Sequence, residues 1–140
     1  HRESSDLCME CIHELIKQGK CFTYDGVMGN LERTKKLVTA LKEKGYEIHI
    51  VAVDVPLDIA LERASQRTRK IAKEVVQRAH RDFAKAFPEI MKLPVDSFAL
   101  YDNSQPLGQQ PVCIVNSDGV QHQEYYERFM RKSKEAHNHD

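Results

Sequence analysis

Three arginines lie close together in the run Glu62-Arg63-Ala64-Ser65-Gln66-Arg67-Thr68-Arg69-Lys70-Ile71-Ala72-Lys73. Arg63 and Arg67 are four residues apart, so on a helix their guanidinium groups would stack on one face and repel unless an anion such as phosphate sat between them. Arginine suits a transferring phosphoryl group because its planar fork donates several hydrogen bonds and stays charged throughout. The alternative reading of the same run is a solvated helix face. A second place with chemical potential is Asp25-Gly26-Val27-Met28-Gly29-Asn30, a carboxylate and two glycines ahead of a helix. A carboxylate at a strand end can accept a hydrogen bond from a substrate hydroxyl or orient a metal-bound water, and glycine lets backbone approach a ligand. The plainer alternative is a turn capped by Asp and Asn.

Other residues offer less. His80 has no carboxylate partner fixed by the sequence, and His49 falls among apolar neighbours in a strand, as a packed or edge histidine would. Cys8 and Cys11 form a lone C-x-x-C with no second ligand pair, so no metal site is expected. On a helix they would share an apolar stripe with Leu15, as buried thiols. No Ser-His-Asp order is visible.

The elements that must position these residues follow from periodicity. Ser5 to Ile16 has apolar residues at helical spacing with Gly19 beyond it, and Cys21-Phe22-Thr23-Tyr24 is a β-prone run ending at Asp25-Gly26. Asn30 caps a helix with Leu31, Thr34, Leu37, Val38 and Leu41 on its inner stripe, stopped by Gly45. Tyr46 to Val53 then reads as a strand buried on both faces, giving a β-α-β unit with a right-handed crossover. Helices are predicted from Pro56 through Ala64 and from about Lys73 to Phe87, closing at Pro88. Ser97 to Tyr101 makes a third strand ending at Asp102-Asn103, and Asn116-Ser117-Asp118-Gly119 turns a hairpin between Val112–Val115 and Val120. Gln123 to Ala136 closes the chain as a helix burying Tyr126, Phe129 and Met130, and His137 and His139 fall in a polar tail expected to fray. The expected fold is α/β, a parallel sheet with flanking helices in three layers, forming a single domain over residues 1–140.

Composition bounds the partners. The 140 residues carry 21 Lys plus Arg against 21 Asp plus Glu, so no overall field favours nucleic acid or an acidic membrane. There is no tryptophan and no aromatic interleaving among the basic residues, which leaves a base-stacking surface unsupported. No apolar run approaches the roughly 18 residues of a bilayer span, and reduced thiols suit a cytoplasmic location.

The arrangement as a whole resembles the zeta toxin family of P-loop kinases. His1-Arg2-Glu3-Ser4-Ser5 looks like its H-x-E-S-S stretch, Tyr24-Asp25-Gly26 like its acidic-Gly-Thr strand end, and Gly45-Tyr46-Glu47-Ile48 like its K-G-Y-x-V turn. Ala60-Leu61-Glu62-Arg63-Ala64 resembles the helix leading to the lid, Arg69-Lys70-Ile71-Ala72 through His80 its R-x-V-P stretch and later histidine, and Tyr101-Asp102-Asn103 its V-Y-D-N strand end. The resemblance implies a P-loop kinase-like three-layer α/β/α fold and a phosphotransferase that moves the γ-phosphate of ATP, with Mg2+, to a small-molecule hydroxyl. In the best-known branch the acceptor is UDP-N-acetylglucosamine, and an antitoxin or other protein partner is implied as well. By position, Asp25 and Glu3 would contact substrate, Arg67 and Arg69 would act on the transferring phosphate from a lid spanning about residues 62–80, and Arg63 and Arg67 would meet the nucleotide.

Departures from the family pattern are equally specific. No G-x-x-x-x-G-K-S/T occurs, the threonine expected after Asp25-Gly26 is Val27, and the lid proline is Ala72. The expectation is therefore a kinase domain incomplete at its N-terminus that lacks its own phosphate cradle and is inactive by itself. The alternative is a degenerate kinase fold that serves as a noncatalytic protein-interaction module.

Overall fold

The computed structural model describes residues 2–139. In chain order these form α1 (Arg2–Lys17), α2 (Leu31–Glu43), β1 (His49–Asp54), α3 (Leu57–Ser65), α4 (Lys73–Ile90), β2 (Ser97–Asp102), β3 (Val112–Asn116), β4 (Gly119–Val120) and α5 (Gln123–Asn138). The fold is α/β, but its sheet, ordered β1-β2-β3-β4, is mixed: β1 and β2 are parallel, and the two pairs that follow are antiparallel.

The apolar stripes converge on one core. Ile12 and Ile16 of α1, Val38 and Leu41 of α2, Phe87 and Ile90 of α4 and Phe129 of α5 cluster with Ile50, Ala52, Leu100 and Ile114 of the sheet. Phe83, Phe87 and Phe129 meet at centroid separations of 5.1–6.2 Å, stitching α4 to α5. The stripe of α1 is shifted by one position from the expected one: Ile12 and Ile16 are buried, whereas Cys8 and Cys11 are exposed. Asn30 caps α2 as expected, its side chain accepting from the Arg33 amide at 3.0 Å.

Three expectations are corrected. Residues 20–30 contain no strand. A strand exists only where a neighbour completes its ladder, and β1, the nearest edge, stands apart across a groove of about 440 Å³ lined by residues of the 22–28 and 46–51 segments. The segment is held instead by Tyr46, whose hydroxyl donates to the Lys20 carbonyl at 2.9 Å and whose ring meets Phe22 edge-on. The β-α-β unit is accordingly β1, α3–α4, β2, rather than one built on residues 21–24 and α2. Second, β1 is covered on one face only: Ile50, Ala52 and Asp54 point into the core, while Val51 and Val53 are 68% and 55% exposed. Third, α4 runs through Pro88 to Ile90, and α5 extends past Ala136 to Asn138.

An unpaired edge beside exposed valines is a template for pairing with another chain. Self-association through β1 is expected at micromolar concentrations, and Val51→Lys with Val53→Lys should shift the sedimentation profile toward monomer while moving stability by less than about 0.5 kcal/mol. An unchanged association state would place the contact elsewhere.

Candidate functional site

The C-terminal ends of the two parallel strands are the natural ligand crevice of an α/β sheet. β1 ends at Asp54 and β2 at Asp102, in register with each other, and both carboxylates are buried, at 7% and 0% exposure. A buried carboxylate needs a counter-charge or several donors. Helix α5 supplies the charges from two positions one turn apart. Lys132 Nζ lies 2.5 Å from Asp54 Oδ1, and Arg128 Nη2 lies 2.5 Å from Asp102 Oδ1. The other oxygen of Asp102 accepts from the Ser104 hydroxyl at 2.5 Å and from Gln105 Nε2 at 3.0 Å. Lys132 also sits over the Phe129 ring at 5.2 Å, and Arg128 over Tyr125 at 4.6 Å.

His80 of α4 completes the cluster. Its Nε2 is 2.8 Å from the Val55 carbonyl, which can only accept, so Nε2 carries the proton. Burial, then the Lys132 charge, holds the His80 pKa below the usual imidazole value, and the ring is neutral. The Lys132 ammonium is itself pulled below the ordinary lysine range by burial, against the opposing pull of Asp54.

The arginine run takes a different form from a single basic helix face. Helix α3 ends at Ser65, so Arg67 and Arg69 lie beyond it in the turn leading to α4, both exposed. Lys70 Nζ satisfies the Ser65 carbonyl at the end of α3, at 2.5 Å. Arg63, still on α3, turns inward and donates to the carbonyls of Asn103 and Gln105 at 2.7 and 3.0 Å. Its fork thus latches the end of α3 to the loop after β2. Asp25 is exposed and lines the groove beside β1. The two nearby glycines serve close packing: a Cβ on Gly29 would stand 3.1 Å from Asp82 Cβ of α4, and one on Gly26 would stand 3.0 Å from the Tyr24 hydroxyl. Glu3 is exposed in the first turn of α1, and His1, which opens the H-x-E-S-S stretch, lies outside the described residues. His49 is an edge residue, its ring nitrogens at 2.6 Å from Ser97 Oγ and 2.8 Å from Glu47 Oε1.

The structure thus joins Arg63 to the loop after β2 and leaves Arg67 and Arg69 exposed in the turn between α3 and α4, while Asp25 lines a separate groove. The family model for zeta toxin matches residues 1–105, from α1 through the loop that Arg63 holds. The chain belongs to the zeta toxin family. No curated protein and no solved structure matches it. Zeta toxins are a kinase-like phosphotransferase family, and the matched stretch contains every motif quoted above. Sequence reasoning noted the polar end of β2 but missed Asp54, Arg128 and Lys132. The spacing of Arg128 and Lys132, four apart, is the same like-charge signal that singled out Arg63 and Arg67.

Removing one member of a buried ion pair strands the other. Lys132→Met should cost roughly 3–5 kcal/mol in urea unfolding, and adding Asp54→Asn should restore most of it, because the uncompensated charge is then gone. If the double variant is no more stable than Lys132→Met, the pair is not the source of the loss. His80 gives a second test. Its folded pKa is depressed, so the unfolded chain binds the extra proton first and stability is lost as pH falls below about 6.5. The unfolding midpoint should fall between about pH 7 and pH 5, and His80→Gln should flatten that slope.

Proposed function

We propose that this chain is part of an ATP-dependent phosphotransferase that acts on a hydroxyl of a small molecule. The single observation that carries the proposal is the pair of free guanidinium groups, Arg67 and Arg69, on a turn tied by Arg63 to the strand end where an α/β fold binds ligands. Arg69, and Arg67 with it, would donate to the oxygens of the transferring phosphate, where charge grows in the transition state. Asp25 would face the acceptor hydroxyl, with Glu3 as a second substrate contact. The acceptor the family resemblance points to is a UDP-amino sugar.

The fit to ATP is partial. The arginines suit its phosphates, but the 140 residues hold no glycine-rich loop whose backbone amides could cradle them. Among the described residues there is also no group of three His, Cys, Asp or Glu side chains that could hold a metal ion. Mg2+, when bound, would neutralise phosphate charge and would come with the nucleotide. Arg63 enters as the residue that sets the lid against the nucleotide rather than as a free phosphate ligand, since its fork is occupied by two carbonyls. These residues by themselves are therefore proposed to bind Mg-ATP weakly and to transfer phosphate only together with a phosphate loop. A cytoplasmic site and an antitoxin partner belong to the same reading; no helix among the described residues is long and apolar enough to cross a membrane.

A noncatalytic interaction module is the second reading, favoured by the exposed apolar Val27, Val51 and Val53. Calorimetric titration of the 140 residues with Mg-ATP is expected to give no binding in the micromolar range; micromolar affinity would require a phosphate site made by these residues alone. In a chain that also carries the phosphate loop, Arg69→Ala should lower kcat by about 10³-fold with little change in KM, as expected for a group acting on transition-state charge. An unchanged kcat would remove Arg69 from the mechanism and leave the module reading.

A further inference from the structure

A second cavity near the strand ends is distinct from the groove beside Asp25. It is a pocket of about 640 Å³ between the start of α3, helix α4 and helix α5. Its walls include Pro56, Leu57, Phe129 and Ala136, and its rim carries Arg81, Arg128, Arg131 and Lys132 against the two carboxylates Asp54 and Glu135.

The cations differ in what already occupies them. Lys132 is held by Asp54, and Arg128 by Asp102 and the Tyr125 ring, so both are fixed in place before any ligand arrives. Arg128 spends one Nη on Asp102 and remains 43% exposed, which leaves further N–H donors for a ligand. Arg131 is exposed and has no ion-pair or hydrogen-bond partner among the described residues. Arg81 has only a 3.8 Å contact with the adjacent Asp82. Arg81, Arg128 and Arg131 beside the half-buried Pro56 and Leu57 match a phosphate joined to a ring, with the ring against Pro56 and Leu57 and the phosphate oxygens toward the guanidinium groups.

We propose that this pocket binds a small molecule in which a phosphomonoester is joined to an apolar or aromatic ring, at a site separate from the lid arginines. The site uses α5, which lies wholly beyond the residues matched by the zeta toxin family. It is independent of the phosphotransfer reading, since neither Arg67 nor Arg69 takes part.

The test is an NMR titration of the ¹⁵N-labelled chain with phenyl phosphate at low ionic strength. Saturable shifts are expected at the amides of His80, Phe129, Arg131 and Lys132. Inorganic phosphate, lacking the ring, and benzoate, lacking the phosphate, should each bind more weakly. Arg81 and Arg131 are exposed and outside the buried pairs, so Arg81→Ala with Arg131→Ala should leave the spectrum folded and weaken phenyl phosphate binding by about tenfold or more. The proposal is overturned by an absence of saturable shifts at those amides, by affinity unchanged in the double variant, or by shifts confined to the turn carrying Arg67 and Arg69. Benzoate binding as tightly as phenyl phosphate would equally overturn the phosphate assignment.

Discussion

Two carboxylates buried at adjacent strand ends dominate the physics of this fold. Asp54 and Asp102, at 7% and 0% exposure, each carry a cationic partner, Lys132 and Arg128, that offsets the cost of burying a carboxylate. That requirement fixes how α5 lies across the sheet, because both cations must reach their partners from one face of one helix. Apolar packing of Phe129 between them pins the helix but, being non-directional, would tolerate small rotations. The ion pairs remove that freedom at a desolvation cost, seen in the lowered Lys132 pKa.

The same strand ends organise the loop after β2 and its tie to α3. Asp102 orders Ser104 and Gln105, and the carbonyls of Asn103 and Gln105 are the acceptors that Arg63 requires. A chain of contacts therefore runs from α5 through Asp102 to the loop after β2, and from there through Arg63 to the turn bearing Arg67 and Arg69. The two halves of the molecule thus do different work. The matched residues 1–105 carry the arginine run and both strand ends, and α5 supplies the cations paired with the carboxylates they bury.

β1 shows the opposite situation, a structural element whose demands are unmet. Its sequence, His-Ile-Val-Ala-Val-Asp, has the unbroken apolar run of a strand with neighbours and apolar cover on both sides. In the fold it has one neighbour and one covered face. The β-prone Cys21–Tyr24 run stays unpaired for the same reason: a strand's free energy lies in the ladder, and no partner edge comes within reach. Both mismatches border the same groove, and Asp25 lies in its wall.

Local physics made most of the elements legible from the sequence. Helical spacing located α2, α3 and α5, Asn30 announced its cap, and the Asn116–Gly119 turn, with Gly119 at φ +124°, announced the β3–β4 hairpin. The family resemblance was legible too, since it resides in short contiguous motifs. What the sequence could not decide was anything set by non-local partners. The shift of the α1 stripe from Cys8 and Cys11 to Ile12 and Ile16 depends on which face meets α2 and the sheet. The mixed sheet and the inward turn of Arg63 depend on residues some forty positions away, and the pairing of Asp54 with Lys132 spans seventy-eight. Propensity and capping act within a turn or two of chain, whereas charge neutralisation and strand pairing are settled only when distant segments are brought together.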